Sequence, residues 1–475
     1  MKKVFIRLIC LFILSILFLD CSSNGENLIP LQTKNKKDLL LGHFAYLKLL
    51  SENNYTSITE EEMKATLDEF LQGSIDSRSD SEVIKTEKID KLDILVTNKN
   101  SNETRNVVDI EDVEVEEISL YLYSIKKSQD NSEGFAITST DLRIGTILAV
   151  VEEGSFDYFK ATDFMPIFSS GLYDYVDEIF FEWDNLKSET RAINDILIIN
   201  EKNKKATNYK YSNFRTLSQN LNSIMKTEWN QGVPYCNYAR AALGRTDIVS
   251  GCTPVALGQI ISHLEIVDSN IDYEYQWNLI KSKKYPCNEE IENQIGYMLY
   301  KLALGMGSSF GTSTSTQTLS MLLYLNNQGY SYNSTFYNFT DIKSSVDSGK
   351  PVLVNGTDHI IYNNGTVFPR NGHSWVIDAY KRCNATVTDL SNNKTSEITD
   401  YFVHCNMGWG GYCNGYYRDD IFYTRNIPDP DYAQPNYQNG KRDNRYIFGF
   451  PHLFEEYLSD YYKYNVTIVT KLSHK

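Results

Sequence analysis

The sequence predicts an α+β protein in two parts: a small N-terminal domain, then a larger one that is helical first and β-rich later. Three observations predict it. A chain of 475 residues is about three times a usual domain length, so two or three cores are expected. Apolar residues recur at helical spacing over 39–50, 60–71 and again from Val255 onward, whereas 91–96, 119–124, 134–138 and 144–151 have β-type patterning. The composition also changes near Trp229, where Gly, Trp and Tyr become more frequent.

The elements follow in order. Lys2, Lys3 and Arg7 precede a short apolar run from Leu8 to Leu19, which reads as an export signal over 1–21. The run is too short for a comfortable membrane span. A Cys directly after it resembles a bacterial lipobox, so Cys21 is expected to become the lipidated first residue of the mature chain. Asp20 stands where a small residue is usual, and the plainer alternative is a cleaved signal with a Cys nearby. Either way the protein is expected outside the cell, secreted or anchored at the surface through that lipid. Residues 22–200 form the small α+β domain, with a Ser/Asp-rich loop at 75–81. Residues 201–222 are Asn/Lys-rich without firm periodicity and read as a linker open to processing. The larger domain occupies 223–475.

Charge and composition exclude some classes. A net charge of -15 offers no basic stripe for a phosphate backbone, so nucleic acid is not an expected partner. The 34 tyrosines suit recognition of other polymers without naming one. No cysteine falls in a CxxC pair, so a zinc site is not expected. Cys405 and Cys413 flank a Gly-rich turn at a spacing that permits a bridge without establishing it.

The chemistry is carried by four ordered strings. In Ser250-Gly251-Cys252-Thr253-Pro254, Pro254 is tolerated only in the first turn of a helix, so Cys252 sits at a helix N-terminus. There the exposed N–H groups and the helix dipole favour a thiolate. In Gly372-His373-Ser374-Trp375-Val376, alternation after His373 predicts a strand, with the imidazole at its mouth as base and then acid. The 121 residues between Cys252 and His373 suit two lobes facing across a cleft. In Asn406-Met407-Gly408-Trp409-Gly410-Gly411, Asn406 is suited to orient the imidazole and Trp409 to shield it. In Trp229-Asn230-Gln231-Gly232, the Gln231 amide can serve an oxyanion together with the nucleophile's own N–H. His263 lies on the same helix as Cys252 and cannot reach back to it. Asp378 lies too far along the strand to orient His373.

Gln, Cys, His and Asn/Trp in this order is the order of papain-like proteases, and the local strings resemble the streptopain family of cysteine proteases. The resemblance covers roughly 229–450, with Gly-Tyr-Tyr-Arg at 415–418 as the aromatic strand after the Gly-rich turn. Upstream, the stretches at 134–141 and 147–157 resemble that family's inhibitory prodomain. The resemblance implies a papain-like two-lobed protease domain, a helical lobe carrying Cys252 and an antiparallel β lobe carrying His373, preceded by a small α+β prodomain. It implies a latent endopeptidase acting on protein and peptide substrates, inhibited by its own prodomain and needing no metal or organic cofactor. Gly372 and Thr314 would line the substrate cleft. Departures are Met407 where a second Trp is common, the Pro/Asp/Tyr-rich stretch 427–439, and a Ser/Thr-rich 308–316 lacking the usual glycines. Two alternatives use the same residues: cell-wall amidase or transglutaminase chemistry on the same dyad, or a surface-binding lipoprotein with a vestigial site.

Overall fold

The computed structural model describes residues 57–72, 84–97, 115–127, 132–169, 171–172, 175–176, 179–180, 209–216, 223–281, 288–363, 366–390, 393–422 and 465–474. The leader with Cys21, the helix at 39–50, the loop at 75–81 and the stretch 427–439 lie outside the described residues.

The first helix, Glu60–Gln72, starts where local chemistry dictates. Thr59 Oγ1 accepts from the Glu62 N–H (3.2 Å) and the Glu62 carboxylate accepts from the Thr59 N–H (3.0 Å). This is a reciprocal capping box. Met63, Leu67, Phe70 and Leu71 share one buried face. Four antiparallel strands follow: β1 (Ile84–Thr97), β2 (Val115–Lys127), β3 (Glu133–Ser139) and β4 (Ile147–Val151). They agree with the four β-patterned stretches, and a further helix, Phe156–Lys160, comes after them.

The stretch 201–222, expected to be a plain linker, instead contains β5 (Tyr209–Thr216), which pairs with the far half of a later strand, β8 (Thr366–Asp389). Its polar sequence hides a strand because the pairing is made by backbone groups, which carry no hydropathy signal.

Helices dominate the next section: Asn237–Leu243, Cys252–Leu264, Trp277–Ile280, Glu289–Gly305 and Thr318–Asn327. Cys252–Leu264 is buried from Thr253 to Ser262 and forms the centre of a core with Trp229, Leu299, Leu302, Leu353 and Val376. The remaining strands are β6 (Tyr330–Phe336), β7 (Val352–Asn363), β8 (Thr366–Asp389), β9 (Lys394–Asn406), β10 (Gly415–Arg418) and β11 (Asn465–His474). The helix Phe339–Asp347 lies between β6 and β7.

One sheet runs through both sections in the order β1-β2-β3-β4-β10-β9-β8-β7-β11-β6, with β5 added on β8. The junction is β4 against β10, pairing Val151 with Gly415 and Val150 with Tyr416. A side chain at Gly415 would fall 2.2 Å from the Val150 carbonyl oxygen, so only glycine permits this approach. Two buried cations pin the same junction. The Lys381 ammonium sits 4.2 Å from the Phe70 ring and 3.9 Å from that of Tyr416. Arg418 donates to Asp400 (2.8 Å) and to the Tyr175 hydroxyl (3.0 Å). No described helix is long and apolar enough to cross a membrane.

Candidate active site

Cys252 is the first residue of its helix, and Gly251 makes the turn into it at φ 90. A Cβ at Gly251 would lie 2.9 Å from the Thr314 carbonyl oxygen, so this glycine answers both a steric and a conformational demand. Thr314 is fixed in turn by donation from its Oγ1 to the Val249 carbonyl at 2.6 Å. On the other side, the Ser250 N–H donates to the Gln231 carbonyl at 2.8 Å. Gln231 and Thr314 therefore flank the Gly251–Cys252 turn, with Gln231 half-buried and Thr314 buried. Cys252 keeps part of its surface open, yet burial still pushes its thiol above the ordinary value. Hydrogen bonds from Ser374 and Thr253 oppose that rise.

His373 lies inside β8 rather than at its mouth, opposite Gly356 of β7. Its ring stacks on Trp409 (centroids 4.5 Å) and lies parallel to Trp375 (6.1 Å), and Phe164 meets it edge-on (6.4 Å). Its Nε2 is 2.9 Å from the Met407 carbonyl, which can only accept, so Nε2 carries the proton. Burial drives its pKa down to about 4, against the pull of that carbonyl. The imidazole is thus neutral at pH 7.

Strand alternation separates the two groups. His373 and Trp375 point to one face of β8, with Phe164 and Phe422. Ser374 and Val376 point to the other, where Ser374 Oγ meets Thr253 Oγ1 at 2.8 Å and Val376 joins the core of the Cys252 helix. Among the described residues no hydrogen bond joins Cys252 to His373.

Asn406 is engaged elsewhere. Its Nδ2 donates to the Thr227 carbonyl (2.7 Å), its Oδ1 accepts from the Gly408 N–H (3.2 Å), and its amide faces that of Gln259 at 3.4 Å. The ring contact expected of it is made by the carbonyl of the next residue, Met407. Trp409 stacks on the imidazole, and Tyr158 meets the Trp409 ring edge-on (6.5 Å). Gly372 is exposed one residue before His373. Asp378 is held by His404 Nδ1 (2.6 Å) and by Ser223, and His263 bonds the Gly349 carbonyl at 3.0 Å. Neither belongs to this site.

Cys405 and Cys413 are both free, as are Cys236, Cys252 and Cys383, so the bridge that spacing permitted is not made. Cys287 lies outside the described residues. Sequence reasoning missed Ser374, Gln259, Phe164 and the Met407 carbonyl. Gln259 left a trace, as the one amide in the apolar turns of the Cys252 helix. A backbone carbonyl leaves none.

Residues 229–417, less than half the chain, match the model of the Peptidase C10 family. No curated relative matches. Among solved structures, the active wild-type interpain A cysteine protease of Prevotella intermedia is similar at 16% identity and a TM-score of 0.30. That alignment covers 52% of this chain and 93% of the other.

Proposed function

With residues 229–417 belonging to the Peptidase C10 (streptopain) family of cysteine-type peptidases, we propose that the chain is an exported cysteine endopeptidase made as a latent zymogen. Cys252 attacks the scissile carbonyl, and the tetrahedral oxyanion is met by its own N–H and the Gln231 amide. The acyl-enzyme forms as His373 protonates the leaving amine, and the same imidazole then activates water. Asn406 and Trp409 orient and shield the imidazole in the mature enzyme, and Gly372 and Thr314 border the substrate backbone. Residues 22–200 act as the inhibitory prodomain, and Cys21 carries a lipid that holds the protein at the cell surface.

The observation that carries latency is the position of Phe164 and Tyr158. Both come from the N-terminal part and pack on His373 and Trp409, the face of the site a substrate would need. The base is also enclosed at a pKa of about 4, too low for efficient proton abstraction near neutral pH. Removal of the N-terminal part would free the ring to meet the thiol.

The test compares wild type with Cys252→Ala, both without the leader, incubated in reductant and followed by mass spectrometry and casein hydrolysis. The wild type is expected to lose about its first two hundred residues and gain activity, while the mutant stays whole and inert. If the matured wild type leaves casein untouched, the peptidase reading fails. If the full-length chain already cuts casein at its matured rate, latency fails.

A further inference from the structure

The mechanism above leaves unused a polar group beside the nucleophile. Ser374 Oγ lies 2.8 Å from Thr253 Oγ1 and 2.7 Å from Asn355 Oδ1. All three residues are buried, so water does not substitute for these bonds. Ser374 and Asn355 are paired across β7 and β8 and face the Cys252 helix together. The N–H and hydroxyl of Ser374, with those of Thr253, are also the groups that counter the effect of burial on the Cys252 sulfur. Burial and these two residues are the largest influences on the thiol, and no charged side chain is among them.

Proton counting gives this chain two arrangements. A serine hydroxyl holds one proton and two lone pairs, and an asparagine amide can accept through Oδ1 or donate through Nδ2. Beside a neutral thiol, Thr253 donates to Ser374 and Ser374 donates to Asn355 Oδ1. A thiolate demands donors. If the Ser374 proton turns to the sulfur, Asn355 turns its amide to present Nδ2–H to the Ser374 oxygen, giving up the 4.0 Å contact of that Nδ2 with Met321 Sδ and setting Oδ1 beside the thioether instead. Asparagine permits both arrangements, and aspartate would permit only the first.

We propose that Ser374 is a positioning residue for the nucleophile, a reversible hydroxyl that turns from Asn355 to Cys252 Sγ when the thiol ionises. It prepares the thiolate while the imidazole is still on the opposite face of β8. The inference rests on Cys252 being the nucleophile.

The test uses the full chain and needs no peptidase activity: the rate of iodoacetamide alkylation at Cys252 against pH, read by mass spectrometry of the peptide that contains it. Ser374→Ala is expected to move the midpoint up by about one unit or more, the size a charge-assisted hydrogen bond carries. Ser374→Thr restores it by returning the hydroxyl, and Asn355→Asp moves it up by fixing the proton away from sulfur. A Ser374→Ala profile that overlays wild type overturns the proposal. So do equal profiles for Ser374→Ala and Ser374→Thr, or a wild-type Cys252 that resists alkylation at every pH. Should Ser374→Ala misfold, an Asn355→Asp profile unchanged from wild type overturns it instead. A shift observed in a chain that never cuts casein keeps this inference and removes the peptidase reading.

Discussion

The two faces of β8 at the site are built from different chemistry. On the face of Ser374 and Val376, polar groups are small, paired and close to the sulfur, and aliphatic packing fixes the Cys252 helix. On the face of His373 and Trp375 the surroundings are aromatic, with Phe164, Trp409 and Phe422 around the rings. Gly356 opposite leaves space for Trp375, since a Cβ there would come within 2.9 Å of the indole. One face can stabilise a thiolate, and the other penalises an imidazolium. His404 shows that burial alone does not decide this. Burial works against its charge as well, but Asp378 outweighs it and keeps its proton affinity above the ordinary value. His373 has a neutral carbonyl where His404 has a carboxylate. In the proposed latent form, nucleophile and base are therefore separated in space, and burial favours the neutral form of each.

The largest test of that contrast is Phe164→Ala. Phe164 is fully buried and touches His373, Trp375, Tyr417 and Phe422. Its loss should cost about 3–5 kcal/mol in denaturant unfolding and speed maturation by freeing the imidazole. Val376→Ala on the other face should also destabilise, by about 1–3 kcal/mol, without faster maturation. Equal effects on maturation would show that the two faces do not have separate roles.

Acid should break the same contrast more gently. The folded pKa of His373, about 4, is below its ordinary 6.5, so the unfolded chain binds more protons between those values. Stability is then full above about pH 6.5 and falls as pH drops toward 4, by up to about 3 kcal/mol. Melting temperature of the Cys252→Ala chain, which cannot process itself, is expected to fall through that window. His373→Phe should flatten the fall, and an unchanged slope would mean the ring is not the group responsible.

How much of this was legible in the sequence follows from which atoms carry each feature. The Cys252 helix, the strand through His373, the Gly-rich turn and the four strands upstream were legible because side-chain periodicity, Pro254 and the glycines encode them. β5 was not, because Tyr209–Thr216 reads as polar chain and owes its form to backbone pairing with β8. The Met407 carbonyl was invisible for the same reason. The direction in which His373 points was also beyond reach. Alternation says that His373 and Ser374 face opposite ways, but only the placement of Phe164 and of the Cys252 helix says which way each faces.

The smallest effect is expected where the site is held from behind. Gln259 leaves the Cys252 helix to accept from the Trp229 N–H (3.1 Å) and to face the amide of Asn406, so one buried side chain joins three of the four strings that carry the chemistry. Gln259→Leu matches its bulk but strands the Trp229 N–H, at a cost of about 1–3 kcal/mol. Asn406 keeps the Thr227 carbonyl and the Gly408 N–H, so the Gly-rich turn should survive. If Asn406 orients the imidazole in the mature enzyme, loosening it should lower kcat on casein several-fold and leave KM nearly unchanged, because the Gln259 side chain is fully buried. A rise in KM with kcat intact would place Gln259 in substrate binding. A loss of stability with no change in either constant would reduce it to a core residue, and Asn406 would then act on His373 only through the Met407 carbonyl that follows it.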